Sequence, residues 1–334
     1  MSDTTSAPAR RLSELIEGFW ATQVIHAAAQ LKLPDLLYAQ PLLPEELARR
    51  ADGHAGSVRR LLRAMATLGL CQVTSDGRYA LTELGALLRT DAAGGKRARA
   101  LFAGSSLYEA FAKLPETVRT GRRPPVTADF GKSSPEQLAV FQHAMIESSR
   151  EAVGAAVLVY DFSALSRVLD VGGGFGGALA CLLERFAHLR GDVLDLDHAQ
   201  QGAEAFLARS GVGSRAGFIA GDFFSCVPAG YDCYLLKFIL HDWDDAQAVA
   251  ILKSCRAAAG PGARLIVLER LVPEHPGDLP AHRTVMQADM TMMAWGGQER
   301  TEREYRELFE QAGFRLSQLV PTDSAFTVIE GRPI

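Results

Sequence analysis

The chain has 334 residues, of which 48% are hydrophobic, and its formal net charge is −4 at pH 7. This length and composition predict a packed protein of two domains, or one large domain with an added module, and argue against disorder. A weakly acidic chain has no general attraction to nucleic acid or to an anionic membrane, so we expect neither partner.

The first residues and the cysteines indicate a reduced compartment. The segment MSDTTSAPARR is polar and lacks the apolar core of a signal peptide. The five cysteines form no C-x-x-C pair, and most have apolar neighbours in sequence, which is typical of buried free thiols. We therefore expect a cytoplasmic protein with no structural zinc and no other metal.

Residues 1–92 have the pattern of a winged helix. Short helical segments precede LCQVTSDGRYALT, in which two strands joined at residues 75–77 predict a hairpin. Basic and acidic residues balance over this segment, and only Arg59, Arg60 and Arg63 would form a basic face. Because DNA binding requires more positive charge, we interpret residues 1–92 as a dimerisation domain rather than a DNA-binding one.

Residues 93–160 are predicted to connect this domain to a second one and to contribute to a substrate pocket. Their first part is interrupted by Gly, Arg and Pro, as in GRRPPV. A long helix is predicted from Pro135 to about Val159, and it carries Phe141 and Met145.

From residue 161 to 334, strand and helix patterns alternate, which predicts an α/β fold of the Rossmann-like type with a mostly parallel sheet. The last two strands follow one another without a crossover helix, so we expect an antiparallel hairpin at one edge. The predicted strands are RVLDV (167–171), GDVLDL (191–196), AGFIAG (216–221), YDCYLLKF (231–238), ARLIVLE (263–269), FRLSQLVPT (314–322) and AFTVIEG (325–331).

The segment LDVGGGFGG places a glycine-rich turn between a strand and a helix. It contains G-x-G-x-x-G at Gly172, Gly174 and Gly177, the pattern of a dinucleotide-binding turn. Asp195 ends the following strand, where a carboxylate can bind both hydroxyls of a ribose. NAD and S-adenosylmethionine both contain this ribose, so these residues leave both cofactors open.

Three further features favour S-adenosylmethionine. A carboxylate at Asp170, next to the glycines, would be repelled by a pyrophosphate but suits a cationic amino acid tail. Asp222 and Phe223 follow the third strand and can bind an adenine amino group and cover its face. The antiparallel C-terminal hairpin is foreign to dinucleotide domains and typical of methyltransferases.

His241 is the candidate general base. It lies in LLKFILHDWDD, in the loop after a strand, where open α/β sheets bind ligands. Imidazole is the natural base near neutral pH, and a phenol, with a pKa of about 10, needs one to attack a methyl group. Glu269 and Glu299 follow later strands, and either could accept the second imidazole N–H.

The chain resembles the S-adenosylmethionine-dependent O-methyltransferases of the caffeic acid and hydroxyindole type, most closely the bacterial branch that methylates polyketide and phenazine hydroxyls. The resemblance lies in LDVGGGFGG, LDLDH, GDFF, LKFILHDWDD, LIVLERLVP and GGQERTEREYRELFEQAGF, and it covers nearly the whole chain. It implies that His241 is the base, flanked by Glu269 and Glu299, and that the protein is a homodimer joined through its N-terminal domain. The implied cofactor contacts are Gly172, Asp195, Asp222, Phe223, Lys237 and Ser149.

One departure from the family concerns the ribose contact. The family commonly has Asp-Leu-Pro-His after the second strand, whereas this chain has Asp-Leu-Asp-His. Asp195 aligns with the family residue and is our prediction, with Asp197 as the alternative.

The predicted substrate wall is rich in methionine. Met286, Met290 and Met293 would share one face of a helix, where they are either ordinary core or a compliant clamp for a flat aromatic ring. Phe141 and Met145 match substrate-wall positions of the family, which favours the clamp. Phe238 and Asp242, which flank His241, complete the predicted substrate contacts.

These features predict a methyl transfer from S-adenosylmethionine to a hydroxyl of a planar aromatic small molecule, such as a phenol, phenazine or aromatic polyketide, in secondary metabolism. Two alternatives remain. A protein of the same fold could use the cofactor for decarboxylation or hydroxylation, although it would not need the base and both glutamates. A DNA-associated regulator with a degenerate enzyme domain is opposed by the intact glycines and the neutral winged helix.

Overall fold

The computed structural model describes residues 6–122, 135–277 and 279–334. Two compact units share the chain: Met1–Glu109 with Val126–Ala144, and Ala110–Pro125 with Met145–Ile334. The division into 1–92, 93–160 and 161–334 stays a prediction. Part of the segment GRRPPV, from residue 123 onward, lies outside the described residues.

The first unit is mostly helical, and its core consists of small and branched apolar side chains such as Leu33, Leu47, Leu62 and Met65, all fully buried. Three of its helices begin with a proline in the first turn, where the missing N–H costs nothing. The helices, up to the boundary with the second unit, are Ala7–Glu17 (α1), Phe19–Gln30 (α2), Leu33–Ala39 (α3), Pro44–Arg50 (α4), Ala55–Thr67 (α5), Glu83–Ala86 (α6), Arg97–Gly104 (α7) and Ser106–Ala112 (α8).

The predicted hairpin of the first unit is confirmed. Cys71–Val73 (β1) pairs antiparallel with Tyr79–Leu81 (β2), and Gly77 turns the chain with a φ of 80° that favours glycine. An additional bridge joins Leu42 to Tyr79. Short helices followed by such a hairpin are the element order of a winged helix.

The second unit contains the seven-stranded sheet. Its strands are Arg167–Val171 (β3), Arg190–Asp195 (β4), Ala216–Ala220 (β5), Cys233–Lys237 (β6), Arg264–Glu269 (β7), Phe314–Pro321 (β8) and Thr327–Pro333 (β9). The helices are Leu114–Thr120 (α9), Pro135–Val159 (α10, from Met145 onward), Gly177–Arg185 (α11), Gln200–Arg209 (α12), Asp245–Ala258 (α13), Pro280–Trp295 (α14) and Glu302–Gln311 (α15).

The strand order, β5-β4-β3-β6-β7-β9-β8, places the site. Strands β3 to β7 are parallel, and β9 and β8 add the predicted antiparallel edge. The chain runs outward from β3 to β5 and then returns to β6 on the other side of β3. This reversal leaves a crevice beyond the carboxyl ends of β3 and β6, the usual ligand site of an open α/β sheet.

Burial explains the strand sequences. Four of the five residues of β3 and of β6 are buried, because helices cover both faces of a parallel sheet. Within the described part of the chain, none of the helices combines the length and apolar character needed to span a lipid bilayer.

Candidate active site

The glycine turn after β3 lies at the crevice. Gly172, Gly174 and Gly176 have φ values of 71°, 57° and 82°, the left-handed region that favours glycine. A Cβ at Gly172 would lie 2.5 Å from Cδ1 of Ile239, so the turn also needs glycine for space. Residues 172–175 are half-buried and present backbone, without bulky side chains at the three glycines, that a ligand can approach closely.

Asp195 ends β4 beside this turn. Its carboxylate accepts the N–H of Gly174 at Oδ2 (2.7 Å) and the N–H of Leu196 at Oδ1 (2.7 Å). Burial raises the pKa of Asp195, although these two hydrogen bonds oppose the rise. Asp197, the alternative, is exposed and begins a 3-10 turn.

Asp170 and Lys237 carry opposite charges at the carboxyl ends of β3 and β6, with Asp170 buried and Lys237 half-buried. Asp170 is 1% exposed; its Oδ2 accepts the N–H of Leu179 (3.2 Å), and its buried Oδ1 has no hydrogen-bond partner among the described residues. Burial raises the pKa of Asp170 to about 6 and lowers the pKa of Lys237 to about 8, and each charge partly offsets the shift of the other. A buried acceptor without a donor is rare in native proteins and suits a cationic ligand group.

Asp222 and Phe223 follow β5 at the same edge. Asp222 is exposed and caps its own turn, accepting the N–H of Phe224 (2.9 Å) and the hydroxyl of Ser225 (3.3 Å). Phe223 is half-buried and packs edge-on against Trp243, with ring centroids 6.1 Å apart. An apolar face next to a carboxylate is thus available there.

Ser149 lies on α10 against the glycine turn. It is buried, and its hydroxyl donates to the carbonyl of Met145 (2.8 Å). A Cβ at Gly177 would lie 3.1 Å from Oγ of Ser149, so this part of α10 packs closely on the start of α11. Ser149 therefore lies next to the start of α11, and its role as a cofactor contact stays a prediction.

His241 lies in a 3-10 turn, Leu240–Asp242, in the loop between β6 and α13. The imidazole is buried, with Nδ1 3.1 Å from Oε1 of Glu299 and Nε2 3.6 Å from Oδ1 of Asp242. Burial alone would lower its pKa, but the charges of Glu299 and Asp242, and the hydrogen bond that the ring donates to Glu299, raise the pKa to about 9. The ring is therefore a strong base with a fixed orientation.

Glu299 orients the imidazole and is itself held. Its side chain is fully buried, and Nη1 of Arg270 lies 3.4 Å from the same Oε1 that contacts His241. Burial would raise its pKa, yet the neighbouring His241 and Arg270 lower it, so the carboxylate stays charged. An ionised Glu299 fixes the proton on Nδ1, so Nε2 is the ring nitrogen that does not contact Glu299.

Glu269 has a different position from Glu299. Either glutamate was expected to accept the second imidazole N–H, and it is Glu299 that contacts the ring. Glu269 instead accepts backbone N–H groups at Oε1, from Ile239 (3.1 Å), Leu240 (2.8 Å) and His241 (3.3 Å). Its Oε2 accepts the hydroxyl of Tyr305.

Arg300 and Gly297 were not identified from the sequence. Arg300 is 1% exposed and donates to the carbonyls of Leu240 and Trp243, both at 2.7 Å. A Cβ at Gly297 would lie 2.0 Å from the carbonyl oxygen of His241, so only glycine fits there. Both residues belong to GGQERTE, the segment from which Glu299 was predicted. This segment is the sequence feature from which Arg300 and Gly297 could have been identified.

Phe238 packs directly on the imidazole. The two rings are stacked with centroids 5.0 Å apart and an interplanar angle of 15°. Phe238 has a φ of 59°, a strained value for an aromatic residue, and such strain is concentrated at functional sites. Phe326, which the sequence did not single out, and Met145 pack against Phe238 on its other sides.

The predicted methionines lie on α14 as expected, and Met286, Met290 and Met293 are all half-buried. Met293 lines a cavity of about 270 Å³, together with Thr117, Val118, Gly121, Gly296 and Gly297. Phe141 belongs to the first unit, where its ring packs edge-on against Phe102 at 5.6 Å. The roles of these side chains as a substrate wall stay predictions.

Three possible metal ligands meet at the site. Donor atoms of His241, Glu269 and Glu299 lie within 4.8 Å of one another, a spacing that a divalent ion could bridge. Both oxygens of Glu269 and Nδ1 of His241 already have hydrogen-bond partners, whereas the buried Oε2 of Glu299 has none among the described residues. That the protein binds no metal stays a prediction.

Known proteins resemble the chain over nearly its whole length. A family model of the O-methyltransferase domain matches residues 111–315, and one of the O-methyltransferase dimerisation domain matches residues 13–91. The chain is 36% identical over 330 residues to the phenazine O-methyltransferase PhzM of Lysobacter antibioticus, covering 97% of this chain and 96% of that protein. It is also 34% identical over 305 residues to the aclacinomycin 10-hydroxylase RdmB of Streptomyces purpurascens, covering 88% and 81%.

Solved structures resemble the chain equally well. The crystal structure of LaPhzM has a TM-score of 0.92 and 35% identity, covering 98% of this chain and 100% of that chain. The O-methyltransferase NcsB1 of neocarzinostatin biosynthesis, solved with S-adenosyl-L-homocysteine and 1,4-dihydroxy-2-naphthoic acid, has a TM-score of 0.76 and 34% identity, covering 94% and 96%.

Proposed function

The chain belongs to the S-adenosylmethionine-dependent O-methyltransferases, and on that premise we propose that it methylates a hydroxyl of a planar aromatic small molecule in secondary metabolism, with His241 as the general base. The observation that carries this proposal is the buried imidazole at the carboxyl end of β6, with Nδ1 held 3.1 Å from Glu299. Relatives that act on a phenazine and bind a dihydroxynaphthoic acid support the aromatic acceptor.

The residues around the crevice fit the cofactor. S-adenosylmethionine, when bound, supplies an electrophilic methyl group on a sulfonium. Asp195 would accept the ribose hydroxyls, and Asp222 with Phe223 would hold the adenine. The buried Oδ1 of Asp170, which lacks a partner among the described residues, would accept a hydrogen bond from the ammonium of the amino acid tail, and Lys237 would contact the carboxylate of the same tail. Gly172, Gly174 and Ser149 would line the rest of the cofactor site.

The base strength of His241 suits a phenol. A phenol has a pKa of about 10, and the pKa of His241 is about 9, so the proton moves between them at little cost. At neutral pH the free imidazole is mostly protonated. The positive sulfonium of S-adenosylmethionine, when bound, would oppose protonation of the ring. The neutral Nε2 would then take the phenolic proton as the oxygen attacks the methyl group.

A wall of apolar side chains would position the acceptor. Met145, Met286, Met290 and Met293 offer flexible thioether contacts to the edges and faces of a flat ring, and Phe141 belongs to the same predicted set. Phe238 and Asp242 flank the base and would contact the acceptor near the reacting hydroxyl. Holding oxygen, methyl carbon and sulfur in line accounts for much of the rate.

A labelled methyl group tests the reaction. The protein is incubated with methyl-labelled S-adenosylmethionine and a panel of hydroxylated phenazines, naphthoic acids, flavonoids and polyketides, and labelled products are identified by mass spectrometry. We expect an O-methylated aromatic product and an equal amount of S-adenosylhomocysteine. Binding of S-adenosylmethionine without label transfer to any aromatic hydroxyl would contradict the proposal.

The second candidate is hydroxylation or decarboxylation on the same fold, and the relative named as a 10-hydroxylase keeps it open. Such a reaction would change the acceptor without transferring the label, so the same incubation separates the two. A gel shift with genomic DNA fragments tests the alternative of a DNA-associated regulator, and we expect no binding. A cytoplasmic location is a separate expectation of ours.

We also propose that two copies of the chain associate through the N-terminal unit. Helix α1 buries none of its residues, and Leu12, Leu15 and Ile16 at its surface, with Phe19 at the start of α2, are each more than half exposed. Contiguous exposed apolar side chains of this kind mark an interaction surface. Light scattering should give a dimer for the wild type and a monomer for Leu15→Glu; an unchanged dimer would place the interface elsewhere.

A further inference from the structure

The loop that carries His241 has an irregular backbone whose polar groups are buried. Buried N–H and C=O groups outside helices and sheets need partners, and here side chains supply them. Three consecutive N–H groups, at residues 239–241, converge on Oε1 of Glu269. Two carbonyls, of Leu240 and Trp243, converge on the guanidinium of Arg300.

We propose that Arg300 is a positioning residue for methyl transfer, which acts with Glu269 and Tyr305 as a clamp on the backbone of residues 239–243. This inference rests on the proposed role of His241. Arg300 does not touch the imidazole, and its effect on the reaction would pass through the backbone that carries the ring.

The chemistry of the two clamp charges is complementary. A carboxylate only accepts hydrogen bonds and a guanidinium only donates them, so Glu269 holds the N–H side of the loop and Arg300 holds the C=O side. Both side chains are buried, at 0% and 1% exposure, and Arg300 partly offsets the rise that burial causes in the pKa of Glu269. The hydroxyl of Tyr305 satisfies the other oxygen of Glu269.

Arginine is required at this position because three acceptors surround it. Nη1 and Nη2 donate to the two loop carbonyls, and Nε donates to Oδ1 of Asp245 at 2.9 Å. A planar guanidinium reaches all three acceptors in fixed directions, whereas a lysine ammonium is a single point charge. Lysine would therefore keep the charge and release at least one carbonyl.

The backbone position decides where the imidazole lies. The carbonyl of His241 accepts the N–H of Gln298 (2.8 Å), and the ring is confined between Phe238 and Glu299. A loop displaced by part of an ångström changes the contact between Nδ1 and Glu299. Burial is the largest influence on the pKa of His241 and lowers it; among the charged neighbours Glu299 raises the pKa most, followed by Asp242, with Glu269 adding less. While the ring stays buried, a weaker contact with Glu299 therefore lowers the pKa, and His241 itself reports the position of the loop.

The test compares Arg300→Lys with Arg303→Lys, a matched control on the exposed face of α15 whose ion pair with Glu307 is solvated. The imidazole of His241 is titrated by NMR in the ligand-free protein with ¹⁵N-labelled histidine, and His241→Asn identifies its signal. We expect the midpoint of His241 to fall by about one pH unit or more in Arg300→Lys and to stay unchanged in the control.

Turnover gives a second readout. Displacing the base should lower kcat roughly 10- to 100-fold while KM for S-adenosylmethionine stays within about twofold. A role in stability alone would lower kcat equally at every pH, through the amount of folded enzyme, without moving the midpoint of His241. A folded Arg300→Lys variant with the wild-type midpoint and kcat would overturn the proposal.

Asp245→Ala keeps the proposal testable if Arg300→Lys does not fold. The Asp245 side chain is 65% exposed, so its loss is tolerable, yet it anchors Nε of Arg300. We expect a smaller shift of the His241 midpoint in the same direction, and no shift would count against the clamp. Because the NMR titration needs no methyl transfer, a failure of the clamp and a failure of the proposed reaction give different results.

Discussion

The glycine turn after β3 and the His241 loop after β6 lie on neighbouring strands but are built in different ways. The glycine turn takes its shape mainly from its own residues, three of which have positive φ, and Asp195 accepts one of its N–H groups. The His241 loop has one such residue, Phe238, and takes its shape from side chains 28 to 60 residues further along the chain. The glycine turn is thus a local structure, whereas the His241 loop is assembled from distant parts of the chain.

This difference predicts a separation of binding from turnover. Changes around the glycine turn should weaken cofactor binding, because that turn presents backbone to the ligand. Changes that move the His241 loop should lower turnover and leave cofactor binding intact, because the loop carries the base.

The largest effect is expected for His241→Ala. Removing the base should lower kcat by roughly 10²- to 10⁴-fold, while calorimetry shows S-adenosylmethionine binding close to that of the wild type. His275→Ala, at an exposed position, serves as the control. Turnover near the wild-type rate at neutral pH would show that another group takes the proton.

Gly297→Ala should have the next largest effect. The added Cβ would lie 2.0 Å from the carbonyl oxygen of His241 and 3.0 Å from Cα of Asp242, so the loop must move. We expect kcat to fall on the order of 100-fold, with cofactor affinity unchanged. Gly260→Ala has open space around its Cβ and should behave as the wild type. A weakened cofactor affinity in Gly297→Ala would break the separation between the two loops.

The pH dependence of kcat/KM measures the base directly. The pKa of His241 is raised to about 9, and the base acts only when it is neutral, so kcat/KM should fall about tenfold for each pH unit below that value. The remaining activity of His241→Ala should instead follow ionisation of the phenol near pH 10. A wild-type profile that is flat between pH 7 and pH 9 would contradict the assignment.

The smallest effect is expected on cofactor affinity from Asp195→Ala. Loss of the ribose acceptor and of the partner of the Gly174 N–H should weaken binding of S-adenosylmethionine about tenfold, measured by calorimetry. Asp197→Ala, at the exposed position two residues later, should bind as the wild type does. If Asp197→Ala weakens binding and Asp195→Ala does not, Asp197 holds the ribose. The glycine turn would then tolerate loss of the Asp195 carboxylate.

Much of the sheet could be predicted from the sequence. The predicted strand at 167–171 coincides with β3, and the other predicted strands match the observed ones within two residues at each end. Parallel strands covered on both faces are short apolar runs bounded by polar residues, and this pattern is visible without any tertiary information. The antiparallel edge could be predicted because no crossover helix fits between β8 and β9.

The residues of the glycine turn and His241 could also be selected from the sequence, because each lies in a short motif at a strand end. Glu299 was selected from the motif GGQERTE, but the prediction that it follows a strand is wrong, since it lies in the connection between α14 and α15. The sequence could not distinguish Glu269 from Glu299, and it did not single out Arg300, Gly297 or Phe326. Those residues act through contacts with a loop far away in the chain, and no local pattern records such contacts.

The amino-acid sequence by itself determined the order of strands and helices along the chain, the glycine turn and the choice of His241 as the candidate base, since these follow from periodicity, backbone freedom and chemical type. Only the tertiary structure decided that Glu299 contacts the imidazole while Glu269 and Arg300 hold its backbone, and that the pKa of His241 is raised to about 9. The physical reason is that burial and hydrogen-bond geometry depend on which distant groups the fold brings together.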